Sequence, residues 1–167
     1  PLDYLPDEQN APEYVHALPE AHYPREINAT EELVDRHVRE GRGDNIAIYF
    51  EEQEITYAEL QDRINRMGNA LRDLGVESGD RVVVRFPNRP ESIVSCLAVQ
   101  KIGAVALPSM KLLRAKELKY IINNAEATKV VVYDDLLEEI ENALPELETV
   151  EDVIVAERNG HDHDHLS

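Results

Sequence analysis

The chain has 167 residues, 43% of them apolar, which is enough for one hydrophobic core and too few for two. Thirty-four acids against seventeen bases give a formal charge of −17, which excludes a chain that coats nucleic acid or anionic lipid along its whole surface. The mean hydropathy of −0.44 and the lack of any apolar run of about 18 residues exclude a membrane span, while the one cysteine, Cys96, excludes an internal disulfide framework and fits a reducing, cytoplasmic compartment.

The chain opens on Pro1-Leu2-Asp3, with neither an initiator Met nor the basic-then-apolar pattern of a secretory signal; it reads as a piece of a longer protein. Residues 1–27 hold five of the nine prolines and three tyrosines, which predicts an extended arm. Asn28-Ala29-Thr30 matches a glycosylation sequon, but Thr30 ahead of Glu31-Glu32-Leu33 reads better as the cap of a helix over 31–40. That helix sets Leu33 with His37, and Val34 with Val38, at i,i+4 spacing. Gly41-Arg42-Gly43-Asp44 ends it; the Arg-Gly-Asp triplet there is an adhesion signal only in an extracellular protein.

Ile46–Phe50 predicts a strand, turned by Glu51–Glu54 into a partner strand at Ile55-Thr56. Thr56 with Glu59 three residues on is a capping box. Behind it Leu60, Ile64, Met67, Leu71 and Leu74 mark a four-turn amphipathic helix, ended by Gly75. The β-branched run Arg81–Phe86 reads as a buried parallel strand. Asn88 is placed to cap the next helix, which runs to about Ile102 and is apolar on most faces. Strands at Ala104–Leu107 and Lys129–Tyr133 follow, separated by a helix over 114–124 that buries Leu118, Ile121 and Ile122. Asp134-Asp135 caps a last helix through Leu144, Val150–Val155 offers one more strand, and residues 158–167 are a polar, loose tail. This alternation predicts an α/β fold, a parallel sheet with flanking helices, over residues 28–157.

The charge is unevenly distributed. Between Arg81 and Lys119 eight bases face only Glu91 and Glu117, a local charge of +6, leaving −23 on the rest. Only five of the seventeen bases are Lys. The acidic remainder reads either as adaptation to a salt-rich, halophilic setting or as an ordinary acidic domain. The basic window reads either as a site for a phosphate-bearing ligand or as bases paired with surplus carboxylates. Ligands of open parallel sheets lie beyond the carboxyl ends of the strands, here Phe86-Pro87-Asn88, Pro108-Ser109-Met110-Lys111 and Tyr133-Asp134-Asp135. Lys111 and Arg114 then sit at a strand end and a helix start, where a base opposes the helix dipole and an anion would relieve the conflict.

No glycine-rich phosphate cradle is present, and no catalytic triad can be assembled. Cys96 reads as a core thiol, and Ser92 and Ser95 have no evident base. His161-Asp162-His163-Asp164-His165 has metal-ligand chemistry but lies in the polar tail. No catalytic residue and no metal site is therefore assigned.

Ile55-Thr56-Tyr57-Ala58-Glu59-Leu60 resembles the first core motif of the adenylate-forming acyl-CoA synthetase superfamily, and Gly75–Val82 continues it. Pro87-Asn88-Arg89-Pro90-Glu91 and Leu97–Pro108 resemble the segments that follow in that superfamily. Pro108–Leu118, with Glu40–Asp44 upstream, is most similar to the benzoate and 2-aminobenzoate CoA ligase branch. The resemblance covers residues 20–155 and implies the N-terminal portion of a ligase. Such a ligase makes an acyl-adenylate from a small carboxylic acid and ATP with Mg2+, then transfers the acyl group to coenzyme A. It implies too that the phosphate loop and the catalytic Lys lie downstream, so that residues 1–167 alone are inactive and hold no cofactor tightly. Lys111 and Arg114 are the nearest candidates for the coenzyme A phosphates, although Leu112 stands where some relatives carry the base. The alternative is a free-standing, non-catalytic interaction domain. No nucleic-acid or membrane partner is implied, and the oligomeric state is left open.

Overall fold

The computed structural model describes residues 26–156, together with Asn10 and Pro24. Most of the predicted arm, and the tail with its His-Asp alternation, lie outside the described residues.

The first helix does not begin as the sequence predicts. Thr30 is already helical and makes no cap bond. Asn28 takes the capping role, its Oδ1 accepting from the amides of Thr30 and Glu31 at 3.1 and 3.3 Å. Thr30 is buried instead, its hydroxyl donating to the Leu97 carbonyl at 2.8 Å. The helix runs as a wide π-type turn, Glu31–Asp35, into the short α1, Arg36–Arg39. Val34 packs inward, while Leu33 stays exposed.

The hairpin forms as predicted, β1 (Ile46–Phe50) antiparallel to β2 (Gln53–Thr56). The capping box of Thr56 and Glu59 opens α2, Tyr57–Asp73, whose Leu60, Ile64 and Leu71 are buried. Gly75 follows at φ +80°, the left-handed geometry that a helix end needs and that glycine adopts without strain.

The parallel sheet contains β3 (Arg81–Arg85), β4 (Val105–Pro108), β5 (Lys129–Tyr133) and β6 (Asp152–Ala156), in the order β4-β3-β5-β6. Between the strands lie α3 (Pro90–Lys101), α4 (Ala115–Asn124) and α5 (Leu137–Ala143). Period-2 alternation divides the strand side chains between two cores. Val82, Val84, Val131 and Tyr133 join Leu60, Ile64, Leu71, Ala98 and Val99 on the α2–α3 side. Val83, Val130 and Val132 join Leu118, Ile122, Ile140 and Ala143 on the α4–α5 side. Both faces of the central strands are covered, which is why they read as unbroken valine runs rather than alternating ones.

Three further local readings are corrected. Arg89, not Asn88, occupies the N-cap of α3, without a side-chain cap bond, because Pro90 takes the first helical position and forces the residue before it into an extended conformation. Ile121 is 37% exposed, because only Leu118 and Ile122 lie on the stripe of α4 that meets the sheet. Asp134-Asp135 form a 3-10 turn with Leu136 before α5 instead of capping it.

Candidate functional site

From β3 the chain runs outward through α3 to β4, then crosses back through α4 to β5 on the other side of β3. The connections leaving β3 and β5 therefore diverge, and the crevice at their carboxyl ends is the place where open α/β sheets hold ligands. Arg85 and Phe86 end the β3 side of this mouth, and Tyr133 ends the β5 side.

The Phe86 and Tyr133 rings lie 6.0 Å apart, tilted by 44°. The Arg89 guanidinium sits 5.3 Å from the ring centre of Tyr133 and 5.3 Å from that of Phe50, so a cation between two aromatic rings ties the hairpin to the mouth. Its Nε also donates to Glu91 at 3.3 Å. The Tyr133 hydroxyl and Ser109 Oγ are buried without hydrogen-bond partners among the described residues.

Arg85 is fully buried. Its Nη1 donates to the Met110 carbonyl at 2.7 Å, and its Nη2 to those of Lys111 and Leu113 at 3.2 and 2.9 Å. Burial pulls the guanidinium pKa below its ordinary value; Glu139 pushes it back up and Arg114 adds to the lowering. Four residues earlier, on the same face of β3, Arg81 grips the opposite end of α4. It donates to the carbonyls of Ala125 and Glu126 at 2.9 and 2.7 Å. Two planar forks on one strand thus hold both ends of one helix, a task that the point charge of a lysine does not match.

The start of α4 already has its anions. Glu139, on α5, accepts from the Arg114 side chain at 2.8 Å and from the Ala115 amide at 2.9 Å. Glu117 accepts from the Arg114 amide at 3.1 Å. The hydrogen bond to Arg114, then that to the Ala115 amide, hold the Glu139 carboxyl below its usual pKa. The dipole conflict at this helix start, which the sequence leaves to either a bound phosphate or neighbouring acids, is relieved from within the chain.

The basic window divides accordingly. Arg81, Arg89, Lys101, Arg114 and Lys119 pair with Glu126, Glu91, Asp35, Glu139 and Glu146. Arg85 keeps its charge and is solvated by three carbonyl dipoles on Nη1 and Nη2, its Nε being buried without a partner among the described residues. Lys111 and Lys116 have no carboxylate partner within 4.0 Å among the described residues. Lys111 is exposed on the loop between β4 and α4, beside the exposed Met110 and Leu112. Arg114 is paired, yet its side chain remains 76% exposed.

Elsewhere, Cys96 is a free thiol whose pKa is raised by burial. Ser92 and Ser95 hydrogen-bond no base among the described residues. No group of His, Cys, Asp and Glu there is arranged to hold a metal ion, and no helix there is long and apolar enough to cross a membrane. The sequence reading located the three strand ends of the mouth. It missed Arg85 as the organiser of the loop, although a charged residue closing a valine run is itself a signal of a specific buried partner.

A family model described as "AMP-binding enzyme" matches residues 34–166. The chain belongs to this family. It is 36% identical over 151 residues to acetyl-coenzyme A synthetase of Mycolicibacterium smegmatis, covering 81% of this chain and 16% of that protein. It is 33% identical over 129 residues to a 3-hydroxybenzoate/4-hydroxybenzoate–CoA ligase of Thauera aromatica, covering 77% of this chain and 25% of that one. The crystal structure of the anthranilate CoA ligase AuaEII in complex with anthranoyl-AMP superposes with a TM-score of 0.75 at 28% identity. That match covers 80% of this chain and 26% of AuaEII. The chain thus spans about a quarter or less of the length of these AMP-binding relatives, and the resemblance drawn from its motifs is upheld.

Proposed function

We propose that the chain is the N-terminal part of an ATP- and Mg2+-dependent acid–thiol ligase, which activates a carboxylic acid as its acyl-adenylate and transfers the acyl group to coenzyme A. The family match over residues 34–166, shared with acetyl- and hydroxybenzoate-activating relatives, carries this reading. Within that protein, residues 28–156 supply a packed frame and a basic loop, and the reacting groups come from other parts of the protein. The similarity of Pro108–Leu118 to the aryl branch favours an aromatic acid. The unpaired Cys96 and the acidic body fit a reducing, salt-rich cytoplasm.

Lys111 and Arg114 are assigned to the phosphates of coenzyme A. Lys111 offers an exposed ammonium on a loop held from below. Arg114 uses Nη1 on Glu139 and keeps further N–H groups facing solvent, so it can bind a phosphate without releasing the carboxylate. In the full-length protein, pyrophosphate release with ATP is expected with benzoate or 2-aminobenzoate in preference to acetate, and residues 1–167 alone are expected to give none. Replacing Lys111 and Arg114 together by Ala should raise the KM for coenzyme A and leave adenylation intact. Turnover by residues 1–167, or an unchanged KM, would count against these assignments.

A further inference from the structure

Arg85 has an unusual environment for a charged side chain. It is completely buried, with no carboxylate within ion-pair distance among the described residues, and its charge is met by three main-chain carbonyls of one short loop. The loop is bound from both directions. The carbonyls of Met110, Lys111 and Leu113 turn inward to Arg85, while the amides of Arg114 and Ala115 are taken by Glu117 and Glu139. The Leu113 amide closes the turn on the Met110 carbonyl at 3.1 Å. With its main chain committed in this way, the loop presents the side chains of Met110, Lys111 and Leu112 to solvent.

We propose that Arg85 is a positioning residue for anion binding: by drawing three carbonyls of the 110–113 loop inward, it fixes where the Lys111 ammonium stands at the mouth of the sheet. This rests on the assignment of Lys111 to the coenzyme A phosphates. The planar fork matters as much as the charge, because two nitrogens of one rigid group reach three acceptors spaced along the loop. A lysine at position 85 keeps the charge but offers a single nitrogen, so it can anchor one part of the turn and release the rest.

The test uses the full-length protein with Arg85→Lys, Arg85→Met and Lys111→Ala. Two readings are taken: amide hydrogen exchange, and the KM for coenzyme A against the kinetics of the ATP–pyrophosphate exchange half-reaction. Arg85→Lys is expected to speed exchange in residues 110–114 and leave β3 and β5 protected. It should raise the KM for coenzyme A by roughly tenfold and leave adenylation within about twofold. Lys111→Ala should raise the same KM without loosening the loop. Should Arg85→Met fail to fold, Arg85→Lys carries the test alone. If Lys111→Ala raises the KM and Arg85→Lys does not, the positioning role is overturned and the assignment of Lys111 stands. If neither raises it, the anion assignment fails and the positioning role fails with it. Uniformly faster exchange across the sheet, with adenylation lost in step, would make Arg85 a support of the whole fold and would also overturn the proposal.

Discussion

Arg81 and Arg85 form an internal comparison, two arginines on one face of one strand, each holding main-chain carbonyls at an end of α4, and differing in burial. Arg85→Met removes three charge-assisted hydrogen bonds, each worth about 1.5–3 kcal/mol. Against that loss stands the relief of burying a guanidinium, an effective penalty of several kcal/mol, and the gain of an apolar side chain of similar length. The three carbonyls left behind decide the balance. They belong to a loop whose Met110 and Leu112 side chains are 65% and 72% exposed, so water regains some of them if the loop lifts. The net cost expected is about 2–4 kcal/mol, because one or two carbonyls stay dry. At about 2–4 °C per kcal/mol for a chain of this size, the Tm should fall by roughly 4–16 °C. Arg81→Met loses a similar set of bonds, but its side chain is 33% exposed and water replaces much of what is lost, so about 1 kcal/mol is expected. Thermal and urea unfolding of residues 1–167, followed by far-ultraviolet circular dichroism, measures both. An Arg81→Met cost equal to or above that of Arg85→Met would refute the reasoning, since burial would then not set the value of a carbonyl-bound guanidinium.

The acid limb of stability should report on Glu139. Its folded pKa lies below the unfolded value of about 4.3, so its contribution is complete above that value and is lost as pH falls through the folded one. Glu139→Gln should therefore lower stability at pH 7 and flatten the loss on acidification, and parallel pH–stability curves for the two proteins would contradict this. Gly103→Ala should cost about 1–3 kcal/mol, since Gly103 has φ +86° and an added Cβ would stand 2.7 Å from Ser78 Oγ; an unchanged urea midpoint would refute this, because the backbone strain remains even if Ser78 moves aside. With −17 formal charges, the chain should gain stability as salt rises and screens its self-repulsion, and a stability maximum at low ionic strength would remove the case for adaptation to salt.

The parts of the fold legible in the sequence are those fixed by local chemistry and by strong periodicity. Thr56 and Glu59 specify a helix start by themselves, and the valine runs of β3 and β5 announce strands covered on both faces. Other helix starts lie elsewhere than their sequence signals place them, even at Asn88, where Glu91 follows three residues on. Asn28 and Thr30 are both good caps, and the choice fell to tertiary structure: the Thr30 hydroxyl is needed at the Leu97 carbonyl, 67 residues away. Asn88 lost to Arg89 because Pro90 fixes the first turn one residue later. Ile121 reads as core from its neighbours, yet the direction of the α4 stripe depends on how the helix meets the sheet, which its own residues do not encode.

The candidate site was legible as a region and illegible as a set of contacts. Charge counting finds eight bases in one window but cannot assign their partners, because four of the five pairing acids, Asp35, Glu126, Glu139 and Glu146, lie outside it in sequence and only Glu91 lies within it. Once those pairs are made, the +6 is largely consumed within the fold. Glu139 in particular occupies the start of α4. What remains for a ligand is narrower: the ammonium groups of Lys111 and Lys116, the unused N–H groups of Arg114, and the buried guanidinium of Arg85 holding the 110–113 loop in place. An anion arriving there meets a surface already balanced at the helix end. Its affinity then depends on where the loop holds the unpaired Lys111 ammonium as well as on that charge itself, which is why substitution at Arg85, which acts through the loop carbonyls, is expected to change binding.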